Sequence, residues 1–103
     1  MIWKTAAELD LTESYLYIRQ DSPAAAERLL DAVEHALAML LQNPHAGHSW
    51  KFRSPRARGL RSWTPKEFPQ YLIFYRFFEG DLEVVRILHG HRDLLQISFD
   101  DPS

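Results

Sequence analysis

The sequence predicts an α+β domain in the order β-α-α-β-β-β. An N-terminal strand leads into an antiparallel helical hairpin, and a three-stranded antiparallel meander follows, with the helices packed on one face of the sheet. Three observations carry this expectation. The first half of the chain spaces its apolar residues by three and four, Ser22-Pro23 interrupts that pattern once, and the second half changes to aromatic and β-branched runs around Gly80-Asp81. At 103 residues, the chain is expected to form a single domain over 1–103, with 97–103 as a frayed tail.

The opening "MIWKT" is short and apolar, as a first strand requires. From Ala6 to Gln20, the positions Leu9, Tyr15, Leu16 and Ile18, extended upstream by Ala7 and Leu11, suit one face of a helix better than strand alternation. In "DSPAAAERLL", Ser22 is placed as an N-cap and Pro23 at the first helical position, where its missing N–H costs nothing. The second helix then buries Leu29, Leu30, Val33, Leu37, Leu40 and Leu41, keeping Glu27, Asp31 and Glu34 away from that face. "QNPHAG" stops it.

"GLRSW" reads as a short strand that enters a hairpin through turns near Pro65 and Pro69. The hairpin is "QYLIFYRFFEGDLEVVRILH", with Gly80-Asp81 as its two-residue turn. That turn sets Glu79 opposite Leu82, Arg76 opposite Val85, Phe74 opposite Ile87 and Leu72 opposite His89. On this register Tyr71, Ile73, Tyr75 and Phe77 share a face with Val84, Arg86 and Leu88. Leu72, Phe74, Phe78, Val85 and Ile87 lie on the other. Both faces are largely apolar, so one should meet the helices while the other is covered by a partner or by the chain's own tail.

Composition narrows the chemistry. Cysteine is absent, which removes disulfides and thiolate metal sites. His45-x-x-His48 has a metal-like spacing but sits in a loop without a third ligand, so neither a metal nor a cofactor is expected. The first residues lack the pattern of a signal peptide, and no later run reaches membrane-spanning length; a cytoplasmic protein without membrane contact is the expectation. Charge is unevenly placed. Residues 1–45 carry seven acids against Lys4, Arg19 and Arg28, whereas Lys51 to Lys66 holds Lys51, Arg53, Arg56, Arg58, Arg61 and Lys66 with no acid, interleaved with Phe52 and Trp63. This stretch is either a solvated basic loop or a surface for phosphate or acidic protein.

The ordered set "SPAAAERLLDAVEHALAMLLQNPHAG", "GLRSW", "YLIFYR" and "VVRILHGHRD" resembles the toxins of the ParE branch of the RelE/ParE superfamily, from about Ala7 to Asp93. The resemblance implies a small prokaryotic cytoplasmic toxin, neutralised by a cognate antitoxin encoded beside it. Members of the ParE branch act on DNA gyrase, and members of the RelE branch cleave messenger RNA on the ribosome.

Metal-free RNA cleavage needs an acid, a base and fixed cations on the phosphate. Under that alternative the catalytic candidates are His89, His91, Arg92 and Arg61. The sequence departs from the RelE pattern, however, with Leu72 in place of an arginine and Ser98 near the position of a C-terminal tyrosine. The preferred reading is therefore a gyrase inhibitor that works by binding. Arg56, Arg58, Arg61, Trp63, Arg86 and Arg92 are then the target-binding candidates, Leu72, Phe74, Phe78, Val85 and Ile87 would hold the antitoxin, and nucleic acid would be met only through the target. A homologue that binds antitoxin but has lost activity is a further alternative. "HGHRD" itself has ordinary explanations: His89 and His91 flank a glycine where an imidazole can cap backbone groups, and Arg92 with Asp93 can form an ion pair or meet the target.

Overall fold

Ser22 makes the helical hairpin. Its backbone N–H donates to the Ile18 carbonyl at 2.9 Å and ends α1 (Thr5–Asp21), while its Oγ accepts from the Ala25 N–H at 3.1 Å and starts α2 (Pro23–Gln42). One residue closes both helix ends, and Pro23 keeps the first helix from running on. This computed structural model describes residues 1–93. The side chains of Arg56, His91 and Arg92, together with Ser98 and the expected tail, lie outside the described residues.

The strands are β1 (Ile2–Trp3), β2 (His48–Ser49), β3 (Arg61–Trp63), β4 (Tyr71–Phe78) and β5 (Asp81–His89), in the spatial order β1-β5-β4-β3-β2. All neighbours are antiparallel except β1, which lies parallel to β5. The meander and its helical cover are thus as the sequence predicts. β2 is an addition, too short and too polar for a strand pattern to register. A single helical turn, α3 (Gly90–Asp93), follows β5. No helix among the described residues is long and apolar enough to cross a membrane.

The hairpin register differs from the expected one. The turn is Glu79-Gly80, both with positive φ (52° and 80°), and Phe78 faces Asp81. A two-residue turn that matches strand twist needs positive φ at both central residues, and glycine supplies the second without strain. Asp81 is then left to accept from the Leu82 N–H at 2.8 Å and to pair with the Met1 ammonium at 2.8 Å. A bulge follows, because Tyr75 pairs with Val84 but Phe74 pairs with Arg86, leaving Val85 as the extra residue. Beyond it, Ile87 faces Ile73 and Leu72 faces Leu88. Ile87 consequently joins Ile73, Tyr75 and Val84 beneath the helices and Leu88 joins Phe74 on the outer face, the reverse of the expected placement.

Two clusters form the interior. The helix-side core brings Leu29, Val33, Leu37 and Leu40 of α2 against Ile73, Tyr75, Val84 and Ile87. From α1 it takes Ala7, Leu11 and Ile18, whereas Leu9 (57 % exposed) and Leu16 (42 %) point outward. The expected α1 face is therefore rotated. Leu41 of α2 is likewise at the surface, 39 % exposed. On the outer face Ala57, Leu60, Trp50 and Phe52 cover Phe74, Val85 and Leu88. Among the described residues this cover comes from residues 50–60, the basic stretch itself.

Candidate target-binding surface

The loop after α2 is fixed by Tyr75. Its hydroxyl accepts from the Gly47 N–H at 2.9 Å and donates to the Pro44 carbonyl at 2.9 Å. A Cβ on residue 47 would lie 2.5 Å from that oxygen and 2.8 Å from the Ser62 carbonyl, so only glycine fits. Burial pushes the phenol above its ordinary 10.0, opposed first by the Gly47 hydrogen bond and then by the charge of Arg61. Arg61 completes the arrangement by donating from Nη1 to the Gly47 carbonyl at 2.9 Å and to the His45 carbonyl at 3.3 Å. Pro44 and Gly47 of "QNPHAG" thus latch the loop to the sheet.

At the opposite edge of the sheet, a carboxylate takes the place of a strand. β1 ends after Trp3, and the Lys4 N–H still donates to Val84 at 3.0 Å. Further along β5, the Ile87 N–H donates to Asp10 of α1 at 3.0 Å. The same carboxylate receives Arg86 through two hydrogen bonds, 2.7 Å from Nε and 3.0 Å from Nη2. Such forked pairing is stronger and more directional than a lysine contact.

Arg61 and Arg86, both expected at the target surface, are thus half-buried and engaged within the fold, Arg61 by backbone carbonyls and Arg86 by Asp10. Trp63 is half-buried against the helix-side core. Arg58 is exposed; its carbonyl, by contrast, accepts from Arg76 Nη1 at 3.4 Å. Arg76 in turn pairs with the buried Glu83 at 2.8 Å. The arginine of "YR" therefore ties the basic segment to the hairpin. Of the other candidates, the side chains of Arg56 and Arg92 lie outside the described residues, as does that of His91.

The His89 ring sits edge-on to Tyr71, 5.5 Å between centroids, and it is the backbone N–H of His89 that is capped, by Asp93 Oδ2 at 3.0 Å. For His89, at least, it is a carboxylate and not its imidazole Nδ1 that closes the strand end. His45 and His48 are exposed, with His48 edge-on to Trp50 at 5.0 Å.

The hydrophobic residues assigned to the antitoxin do not line one open groove. Phe74, Val85 and Ile87 are buried at 0 %, 3 % and 2 % exposure, and Ile87 lies on the other face; Leu72 is half-buried and Phe78 is exposed. Concave features at the surface of the described residues include two of note. One is an apolar groove of about 410 Å³ where Met1 and Trp3 meet Leu11, Leu30, Leu37 and Leu41. The other is a cup of about 340 Å³ within residues 49–59, carrying Lys51, Arg53 and Arg58. The cup's wall is rigid. Trp50 stacks on Phe52 at 5.6 Å, packs on Phe74 and donates from Nε1 to Ser62 Oγ at 2.7 Å, while its backbone N–H donates to Leu60.

A family model described as the ParE toxin of the type II toxin-antitoxin system parDE matches residues 1–94. The Sinorhizobium fredii protein Y4kP is 30 % identical over 95 residues, covering 92 % of each chain. Toxin RelE2 of Caulobacter vibrioides is 32 % identical over 95 residues, covering 89 % of this chain and 96 % of its own. A solved chain from a chromosomal ParDE system of P. aeruginosa has the same fold, with a TM-score of 0.65 at 20 % identity over 84 % of this chain and 90 % of that one. These likenesses define a toxin of a type II toxin-antitoxin system. The chain belongs to the ParE toxin family.

Proposed function

We propose that this toxin acts by binding DNA gyrase and is neutralised by a cognate antitoxin encoded beside it. One observation favours binding over RNA cleavage. The sheet arginines that a ribonuclease would direct at a phosphate are already engaged, Arg61 by the Gly47 and His45 carbonyls and Arg86 by Asp10. The exposed cations Lys51, Arg53 and Arg58 gather instead around a concave surface outside the sheet. The test is supercoiling by purified gyrase in the presence of purified toxin. Dose-dependent inhibition is expected, and none at any attainable concentration refutes the target.

The antitoxin's place is the apolar groove at Met1, Trp3, Leu37 and Leu41, because the outer face of the hairpin is filled by residues 50–60. An amphipathic segment suits such a groove. Leu41→Glu, at an exposed position, should break copurification with the antitoxin while leaving the circular dichroism spectrum unchanged; a stable complex would move the docking surface elsewhere.

The ribonuclease reading keeps one support, the 32 % identity to a relative named Toxin RelE2. Mapping messenger RNA ends after induction separates the two. Codon-dependent cuts within minutes would favour cleavage.

A further inference from the structure

We propose that the cup within residues 49–59 binds the phosphodiester backbone of duplex DNA directly and without regard to base sequence. The sorting of charge comes first. Arg28 pairs with Glu67, Arg76 with Glu83 and Arg86 with Asp10, and Arg61 is held by backbone carbonyls. Lys51, Arg53 and Arg58 have no such partner among the described residues, and all three line the same cup. Unneutralised cations on a concave surface concentrate the field there and draw in an anion.

Rigidity comes second. The Trp50–Phe52 stack on Phe74, the Trp50–Ser62 bond and the Arg76 contact to the Arg58 carbonyl hold the segment before any ligand arrives. Little ordering entropy is then lost on binding. A cup of about 340 Å³ has room for a phosphate group with its sugar neighbours.

The aromatics decide which nucleic acid. Single strands are gripped largely by bases stacking on exposed rings. Here Trp50 and Phe52 stack on each other and pack on Phe74, and Trp63 packs on the helix-side core. Trp50 and Phe52 line the cup half-buried and already stacked on each other, so the exposed charged groups there are the cations, which answer the charge of a duplex backbone. The inference deepens the gyrase reading, since the toxin would reach the enzyme partly through its DNA, but it is measured without gyrase.

The experiment is fluorescence anisotropy of a labelled 20-base-pair duplex titrated with purified toxin. Binding is expected at 50 mM salt, and neutralising three phosphates should weaken it roughly 40-fold by 200 mM, at about 0.9 in log–log slope per contact. Arg53→Glu/Arg58→Glu should reduce affinity at least as far, while the charge-matched Arg19→Glu/Arg28→Glu on the helices retains most of it, with circular dichroism as the fold control. Arg53→Gln/Arg58→Gln should fall between, which guards against misfolding of the reversed variant. The site is refuted if the parent binds no duplex, if the reversed variant binds as the parent does, or if single strands bind more tightly. It is also refuted if the variant loses binding only to DNA-free gyrase, which would make the cup a protein-docking surface. A toxin that inhibits gyrase but binds no DNA removes this site alone. One that binds DNA yet leaves gyrase untouched removes the gyrase reading alone.

Discussion

The Tyr75 hydroxyl lies 2.9 Å from the backbone nitrogen of Gly47, and that closeness makes residue 47 intolerant of any side chain. Gly47→Ala should destabilise the protein by about 1–3 kcal/mol, because the Ser62 carbonyl behind the new methyl is backbone and has little freedom to move away. Urea unfolding gives the value. An unchanged midpoint would mean that the loop is not latched.

Tyr75→Phe removes the other half of the latch. The Gly47 N–H and Pro44 carbonyl each lose a partner, at roughly 1–3 kcal/mol for a buried group left unsatisfied. A pH signature separates this from lost packing. The phenol is raised above 10.0 in the folded protein, so its contribution is complete below the unfolded value and is lost as pH rises through the folded one. Stability of the parent should therefore fall in the alkaline range above about pH 10 by a component that Tyr75→Phe lacks. Parallel alkaline slopes for the two proteins would contradict the assignment.

Asp10 serves two donors, and substitutions should separate them. Asp10→Asn keeps an acceptor for the Ile87 N–H but loses the charge facing Arg86; Asp10→Ala loses both. The alanine variant is expected to cost roughly 1.5–3 kcal/mol, typical of hydrogen bonds to charged groups, and the asparagine variant less. Arg86→Lys should not restore the fork. Equal losses for Asn and Ala in equilibrium unfolding would show that the strand-edge bond contributes nothing.

Glu79 occupies a left-handed conformation, φ 52°, that a side chain of its type tolerates poorly. Glu79→Asn creates Asn-Gly, the pair this turn favours. A gain of up to about 1 kcal/mol is expected, seen as a rise of ~4–8 °C in melting temperature for a domain near this size. A fall would indicate that the glutamate makes a compensating contact.

The motifs that carry the resemblance are joined by contacts that only the tertiary fold supplies. "NPHAG" and "YR" stood out in the sequence, yet Tyr75 meets Gly47 only because β4 passes beneath the loop, and no local period encodes that meeting. Ser22-Pro23 was legible because both of its effects act within four residues. The hairpin register was not. A turn one residue earlier and one bulged residue exchange the faces of Ile87 and Leu88, and alternation in a strand apolar on both sides cannot reveal a one-residue slip. Arg86 was legible as a cation and not as a partner of Asp10, which lies 76 positions away. The basic segment was visible as charge, whereas its role as the lid over Phe74 and Val85 depended on Trp50 and Phe52 packing inward.

The parallel rungs of β1 on β5 join the start of the chain to residues 83 and 84. Such distant pairings form late, since the loop between them must be closed before any contact rewards it. During synthesis α1 and α2 emerge long before the strand that Asp10, Lys4 and Met1 require. Protease digestion of ribosome-arrested chains ending before β5 should accordingly find them open, and chains arrested well beyond it closed. The strand made first is therefore seated last, once β5 has left the ribosome to receive it.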